Sequence, residues 1–457
     1  ILLYSGYLIN GMKMDNAMRN PIRLLSLAAT LCLPLAAQSG GLIDAYRLAL
    51  ESDPQLRAAE AARGALGEAS PQSLALLLPS LNLSANTSDN ATETSKSNNV
   101  LIPNTDEDYN SHAYSLTLTQ PIYHHDYWVG LRQADATVAQ AEADYAAAKQ
   151  DLIVRVATAY FDVLAAQDTL EFARAEKDAT ARQREQAKQR FEVGLIAITD
   201  VHEAQAQYDL TVAQEITAEN SLANTREALQ EITGQYDENL QVLLDEIPLR
   251  TPNPNNIDEW VTQAREQNLS RRAAQFTATA AKEEINRQRA GHYPTLDFVA
   301  TQSNAFSHSS TGRETDSETL SLQLNVPLFA GGAVNSKTRE ASYRSDEARH
   351  RLEQTRRNVK RQTRDAFRGV IAGISRVKAL KQAVISSDKA LEATQAGFEV
   401  GTRTIVDVLL SQRELFRAQS AYSRSRYDYL LNAFRLKQAA GSLSLTDVEG
   451  INKLMMK

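Results

Sequence analysis

The sequence predicts a mixed fold: a membrane β-barrel continued by a long α-helical coiled-coil barrel, built from two internal repeats. Three observations predict it. Segments recur in the same order: LPSLNLSA (78–85) as YPTLDFVA (293–300), YSLTLTQPIY (114–123) as LSLQLNVPLF (320–329), and FEVGLIAITDV (191–201) as FEVGTRTIVDV (398–408). Within each copy, two segments alternate apolar and polar residues, the period of a half-buried strand. Residues 131–193 contain neither Gly nor Pro, and 333–400 contain no Pro. Each therefore predicts one helix of roughly 95 Å at 1.5 Å per residue, far beyond the usual length of about 11–12 residues.

Composition narrows the function. A length of 457 residues suits two to three ordinary domains, but the repeats replace that count with two copies of one unit. A net charge of -7 argues against a nucleic-acid partner. An apolar fraction of 43% argues against wholesale disorder. Beyond the leader no apolar run reaches the length of a membrane-spanning helix, whereas alternating barrel strands keep mean hydropathy low.

The elements follow in order. Residues 1–39 comprise upstream residues and a cleaved signal peptide: Arg19 and Arg23 precede the apolar stretch LLSLAATLCLPLAA (24–37), and small residues follow it. Cys32, the single cysteine, lies in this leader behind the bulky Leu31, which argues against a lipid anchor. The first repeat spans 40–234. It opens with a helix over 42–75, which Pro54 kinks. Strands follow over about 79–97 and 112–123, with a polar loop over 86–112. A long helix covers 124–193, and a return helix 198–233. Gly194 marks the turn between the helices. Residues 235–255 link the copies. The second repeat, 256–441, has a helix over 256–291, strands over about 294–304 and 318–329 with a polar loop over 302–318, a long helix over 333–400 turning at Gly401, and a return helix over 405–440. Ile153, Val156, Tyr160 and Val163, spaced 3, 4 and 3, form a coiled-coil seam.

Two strand pairs make four strands, too few to close a barrel, and open edges are not tolerated in lipid. Several chains must cooperate; three would give twelve strands, an even number as bacterial barrels have. Leu81, Leu83, Leu116, Leu118, Leu296, Phe298, Leu322 and Leu324 then face lipid, and Asn82, Ser84, Ser115, Thr117, Gln323 and Asn325 face a lumen. Tyr123, Tyr127, Trp128 and Phe329 gather where strand becomes helix, an interfacial belt. Pro121 and Pro327 end the strands.

At FEVGLIAITDV and FEVGTRTIVDV the chain resembles the TolC family of outer-membrane efflux and secretion channels. ATAYFDVLAA (157–166), LPSLNL, QAQYD (205–209), HYPTLD (292–297) and GGAVNS (331–336) belong to the same pattern, which runs from Leu42 to about Asn452. The resemblance implies a homotrimer in the outer membrane of a Gram-negative bacterium, projecting into the periplasm. It implies a twelve-stranded barrel, four strands per chain, and an equatorial domain at mid-helix to which 235–255 and 442–457 contribute. It further implies docking to a periplasmic adaptor (membrane fusion) protein and an inner-membrane transporter of RND, MFS or ABC type. The chain departs from the family pattern in a tail that stops at Lys457 and in showing no lipobox.

The resemblance also assigns the helical tips. Val193, Gly194 and Leu195 on one hairpin, and Val400, Gly401 and Thr402 on the other, are hairpin-tip residues that contact the adaptor. Gln189, Thr199, Asp200, Phe398 and Arg403 link hairpins into an iris-like periplasmic gate. Phe398 stands where the best-known family member carries Tyr, so one polar link is absent and the gate relies mainly on Arg403 with Asp200. Asp407 matches an acidic ring that selects cations. The second acidic position is Leu410 here, and Glu414, on the same helix face, carries the second charge of the pore.

No enzyme reading is supported. None of the seven histidines has metal-ligand spacing, no nucleotide loop occurs, and no nucleophile–base constellation stands out. No cofactor or metal is expected. The basic stretch 349–368 is interleaved with Glu353 and Asp365, as on a solvated helix face. The competing reading is a structural trimeric coiled-coil stalk or adhesin without a pore, which leaves the amphipathic strand pairs without a purpose.

Overall fold

The computed structural model describes residues 40–93, 106–235, 239–309 and 312–456. The leader, Cys32, and the expected strand residues 94–97 lie outside the described residues.

Each copy opens with a helix that is interrupted where the sequence predicts a continuous one. In the first copy the segment divides into α1 (Leu42–Ser52), α2 (Pro54–Gly67) and α3 (Ala69–Ala75). Pro54 does more than kink the chain. It drives Asp53 into an extended conformation (φ -63°, ψ 116°), and Asp53 then caps α2 by accepting a 2.7 Å hydrogen bond from the Leu56 amide. The second copy breaks at the equivalent place without a proline. Asn268 accepts from the Arg271 amide at 2.9 Å and donates to the Ala439 carbonyl at 3.0 Å.

Between these helices and the long ones lies a four-stranded antiparallel sheet. It comprises β1 (Ser80–Glu93), β2 (Asp106–Tyr123), β4 (Thr295–Ser307) and β5 (Arg313–Asn325), in the order β1-β2-β4-β5. The two expected polar loops are largely strand. The ladder depends on backbone groups rather than side-chain polarity, and the polar residues pair across it: Ser88 Oγ with Ser111 Oγ at 3.0 Å, and Asn304 Nδ2 with Asp316 Oδ1 at 2.7 Å. Pro121 does not end β2. It sits at a register irregularity between Pro121 and Tyr123, where its missing N–H is tolerated. Only β5 stops before its proline, at Asn325.

Register sorts the two faces. Leu81, Leu118, Ala300 and Leu320 stand in one row, and Phe298 pairs with Leu322 on the same face. Asn82, Thr117, Thr301 and Thr319 form a row on the opposite face. Among the described residues nothing covers the apolar face: Leu81, Leu83, Leu320, Leu322 and Leu324 are 64–77% exposed. The outer edges of β1 and β5 have no strand partner among the described residues.

One helical hairpin completes each copy: α4 (His125–Glu192) with α5 (Ile198–Thr233) in the first, and α8 (Ala333–Glu399) with α9 (Ile405–Ala440) in the second. With 68 residues, α4 is about 100 Å long. The seam residues Ile153, Val156, Tyr160 and Val163 are buried. Beside them Phe161 stacks on Tyr427 of α9, centroids 5.6 Å apart. A polar knot sits next to this stack. Asp168 accepts from Tyr427 Oη at 2.9 Å and from Ser423 Oγ, and Arg426 donates to the Leu244 and Asp245 carbonyls at 3.2 and 3.1 Å. The linker and the C-terminal segment meet here. The linker strand β3 (Val242–Leu243) pairs antiparallel with β6 (Met455–Met456), which follows α10 (Leu445–Asn452). In the second copy, α6 (Ile257–Gln267) and α7 (Leu269–Arg289) precede one 3₁₀ turn, Ala290–His292.

The α2 cap is tied to α4. Arg155 donates to both Asp53 oxygens, at 3.0 and 2.7 Å, and Asp53 is 2% exposed. These bonds, with that from Leu56, outweigh burial and hold the Asp53 carboxyl below the usual carboxylate range. A depressed native pKa stabilises the fold above the unfolded value and ceases to do so as pH falls through the native value. Asp53→Asn is therefore expected to cost about 2 kcal/mol at neutral pH, and the difference from the parent should shrink at acid pH, as the pH falls through the lowered native value. Thermal unfolding followed by circular dichroism at both pH values checks this.

Candidate functional site

The free ends of the two hairpins are built alike. In the first, Gly194 adopts φ +76°. Its amide donates to Phe191 O at 2.9 Å, and the Leu195 amide donates to Arg190 O at 2.8 Å. In the second, Gly401 adopts φ +80°, with Gly401 N to Phe398 O at 3.1 Å and Thr402 N to Gly397 O at 2.8 Å. Both are Schellman closures, which require the left-handed conformation that glycine takes without strain. They turn apolar side chains outward: Val193, Leu195 and Val400 are 71%, 72% and 75% exposed.

Just behind the turns a small core joins the two hairpins. Ala187 of α4, Ala204 of α5, Phe398 of α8 and Ile405, Val408 and Leu409 of α9 pack together, separate from the main core. Phe398 is also covered from the other hairpin. The Arg190 guanidinium of α4 lies 4.3 Å from its ring centroid, a cation–π contact between hairpins. Sequence reasoning missed Arg190. The signal was available in the repeat, where Arg190-Phe191-Glu192 aligns with Gly397-Phe398-Glu399.

That substitution breaks the symmetry of the tips. Where the first hairpin has Arg190, the second has Gly397, and the Arg403 stem occupies the space: a Cβ at position 397 would lie 2.8 Å from Arg403 Cγ. Arg403 thus leaves its turn folded back along α8. Within one chain no ion pair joins Arg403 to Asp200 among the described residues. Thr199 and Asp200 occupy the first turn of α5, and Gln189 reaches only Glu185, at 3.4 Å along its own helix.

Asp407 has a local task. Its Oδ2 accepts from the Thr404 amide at 2.9 Å and from the Thr404 hydroxyl at 3.0 Å, while its own amide donates to Thr404 Oγ1 at 3.2 Å. This box caps α9. The Thr404 bonds, helped by the charge of Arg403, hold the Asp407 carboxyl below its usual range, so it is ionised at neutral pH. Glu414 lies further along α9, 3.8 Å from Arg417, which offsets its charge. Leu410, between them, is 44% exposed.

At the other end of the long helices, Tyr123, Trp128 and Phe329 project outward, Phe329 at 89% exposure. Leu328, which sequence reasoning did not single out, is 93% exposed beside it. Tyr127 parts from this group. Its ring lies flat on His124 with centroids 4.3 Å apart, and His124 Nε2 meets Asp297 Oδ1 at 3.0 Å, on the polar side of the sheet. Tyr127 is half-buried in this junction. Among the described residues no group of His, Cys, Asp or Glu could hold a metal ion.

A four-stranded sheet with one bare apolar face, set on hairpins about 100 Å long, defines a class of membrane-channel subunit. The family model described as outer membrane efflux protein matches residues 45–235 and 260–442, and the chain belongs to that family. It is similar to the outer membrane protein TolC of Vibrio cholerae serotype O1, 41% identical over 95% of this chain and 98% of that one. It is also similar to the outer membrane protein TolC of Escherichia coli K12, 36% identical over 92% and 86%. Among solved structures it shares the fold of the Campylobacter jejuni CmeC outer membrane channel, with a TM-score of 0.77 at 17% identity over 91% of this chain and 90% of that one. The protein is an outer-membrane exit channel of the Gram-negative envelope.

Gly397→Ala is expected to displace the Arg403 stem and loosen the second turn. Amide hydrogen exchange across 397–405 should rise several-fold while 190–198 stays unchanged; equal protection in both turns would show that the close approach does not matter.

Proposed function

We propose that three chains assemble around one axis, closing a twelve-stranded barrel whose leucine face meets lipid and whose serine and threonine rows line the exit. The bare apolar face with two unpaired strand edges carries this reading, because neither is stable in a bilayer without further strands. Tyr123, Trp128 and Phe329 would mark the inner membrane boundary. The hairpins would form a periplasmic conduit whose exposed tip residues Val193, Leu195 and Val400, with Gly194, Gly401 and Thr402, dock a periplasmic adaptor. Through it an inner-membrane transporter of RND, MFS or ABC type would deliver drugs or polypeptides.

The gate would close between chains. Since Arg403 finds no carboxylate partner on α5 of its own chain, the link to Asp200 and Thr199 would be made by the neighbouring chain, with Gln189 close by. Arg190 on Phe398 would hold the two hairpins of one chain together, so that they move as a unit. Asp407 would form the acidic ring; Glu414, offset by Arg417, would contribute less.

Single-channel recording in planar bilayers tests this. The parent should show small, mostly closed, cation-selective currents. Arg403→Ser should raise conductance several-fold by removing the link between chains; an unchanged conductance would reject that link. In the same assay, block by a trivalent cation should weaken at least ten-fold in Asp407→Asn and change much less in Glu414→Gln. Equal losses in both variants would restore Glu414 to the ring.

A further inference from the structure

Away from the tips, α4, α5 and α9 line an open cavity of about 680 Å³, within the range of small-molecule sites. Its apolar wall includes Phe172 of α4, Leu210 of α5 and Phe416 of α9. Glu176 of α4 also lines it. This side chain is 9% exposed, and its Oε1 is sealed from solvent with no hydrogen-bond partner. Buried carboxylate oxygens are rarely left in that state, because the desolvation cost is uncompensated. Burial pushes the Glu176 carboxyl above its usual range, and the charge of Arg413 only partly draws it back. Arg413, on the α9 wall of the same cavity, has no hydrogen-bonding or ion-pairing partner among the described residues. Arg417, its neighbour one turn on, is already occupied by Glu414.

We propose that this cavity binds an amphipathic zwitterion. A basic nitrogen would donate to the Glu176 carboxylate, an aromatic or aliphatic body would lie against Phe172, Leu210 and Phe416, and an acidic group would meet Arg413. The charge pattern selects the class. A purely cationic amphiphile meets two guanidinium groups in the wall, and a purely anionic one meets a buried carboxylate. A ligand carrying both charges satisfies Glu176 and Arg413 together. A rotation of the Glu176 carboxylate about its last bond presents either oxygen. All of the residues that line the cavity belong to one chain.

The test is fluorescence titration of the full chain in lipid nanodiscs with three probes of similar body: Nε-dansyl-lysine (zwitterionic), dansylcadaverine (cationic) and dansylglycine (anionic). Nε-dansyl-lysine should bind saturably and at least ten-fold more tightly than either of the others. Glu176→Gln should weaken it ten-fold or more, as loss of a charge-assisted hydrogen bond requires. Arg413→Gln should weaken Nε-dansyl-lysine but not dansylcadaverine. Ala213→Trp, on the cavity wall, should abolish binding by filling the space while leaving helicity and oligomer size unchanged. Absence of saturable binding to the parent would overturn the proposal, as would unchanged affinity in both Glu176→Gln and Ala213→Trp. Equal binding of dansylcadaverine and Nε-dansyl-lysine would overturn the role of Arg413.

Discussion

Everything in this protein answers to one constraint: a backbone N–H or C=O left unpaired in hydrocarbon costs several kcal/mol. The sheet β1-β2-β4-β5 satisfies its inner ladders and leaves two edges without a strand partner among the described residues. One chain is therefore a segment of a barrel wall, and its leucine face, bare in the monomer, has a use only once the wall is closed. The helical part inherits the geometry, because each strand pair continues directly into a helix whose place around the axis is then set.

Holding helices of about 100 Å in that place requires fixed points. The structure puts them where α4 meets α9 and the short helices. The Phe161–Tyr427 stack supplies apolar area, and Asp168, Ser423 and Arg426 fasten α9 to α4 and to the linker strand. Asp53 on Arg155 and Asn268 on the Ala439 carbonyl then bind the two helix breaks to the long helices. One break is enforced by a proline and the other by an asparagine, yet both caps serve the same purpose. The repeat has kept the geometry while exchanging the residues that produce it.

At the tips the same duplication has diverged for a purpose of its own. Two turns with identical closure carry Arg190 in one copy and Gly397 in the other. The arginine covers Phe398 and couples the hairpins; the glycine makes room for Arg403 to fold back. At Asp407 helix capping and charge are coupled. The hydrogen bonds that cap α9 also hold its carboxyl ionised, which a charged pore ring would need.

The repeat, the extent of the four hairpin helices, the glycine turns and the partition of the strands into two faces were legible in the sequence alone. Each rests on local periodicity or on a single residue's backbone preference, which neighbours hardly alter. The sequence was less informative where polar side chains pair across a hairpin, so the strands run further than their composition suggested. Packing decided that Asp53, at the first helix break, is tied to Arg155, that the His124 ring under Tyr127 is held by Asp297, that Arg190 engages Phe398, and that Glu176 stands unpaired in a cavity. Each of these depends on groups of different elements brought together in space. No local pattern encodes which side chains will meet when three long helices pack side by side.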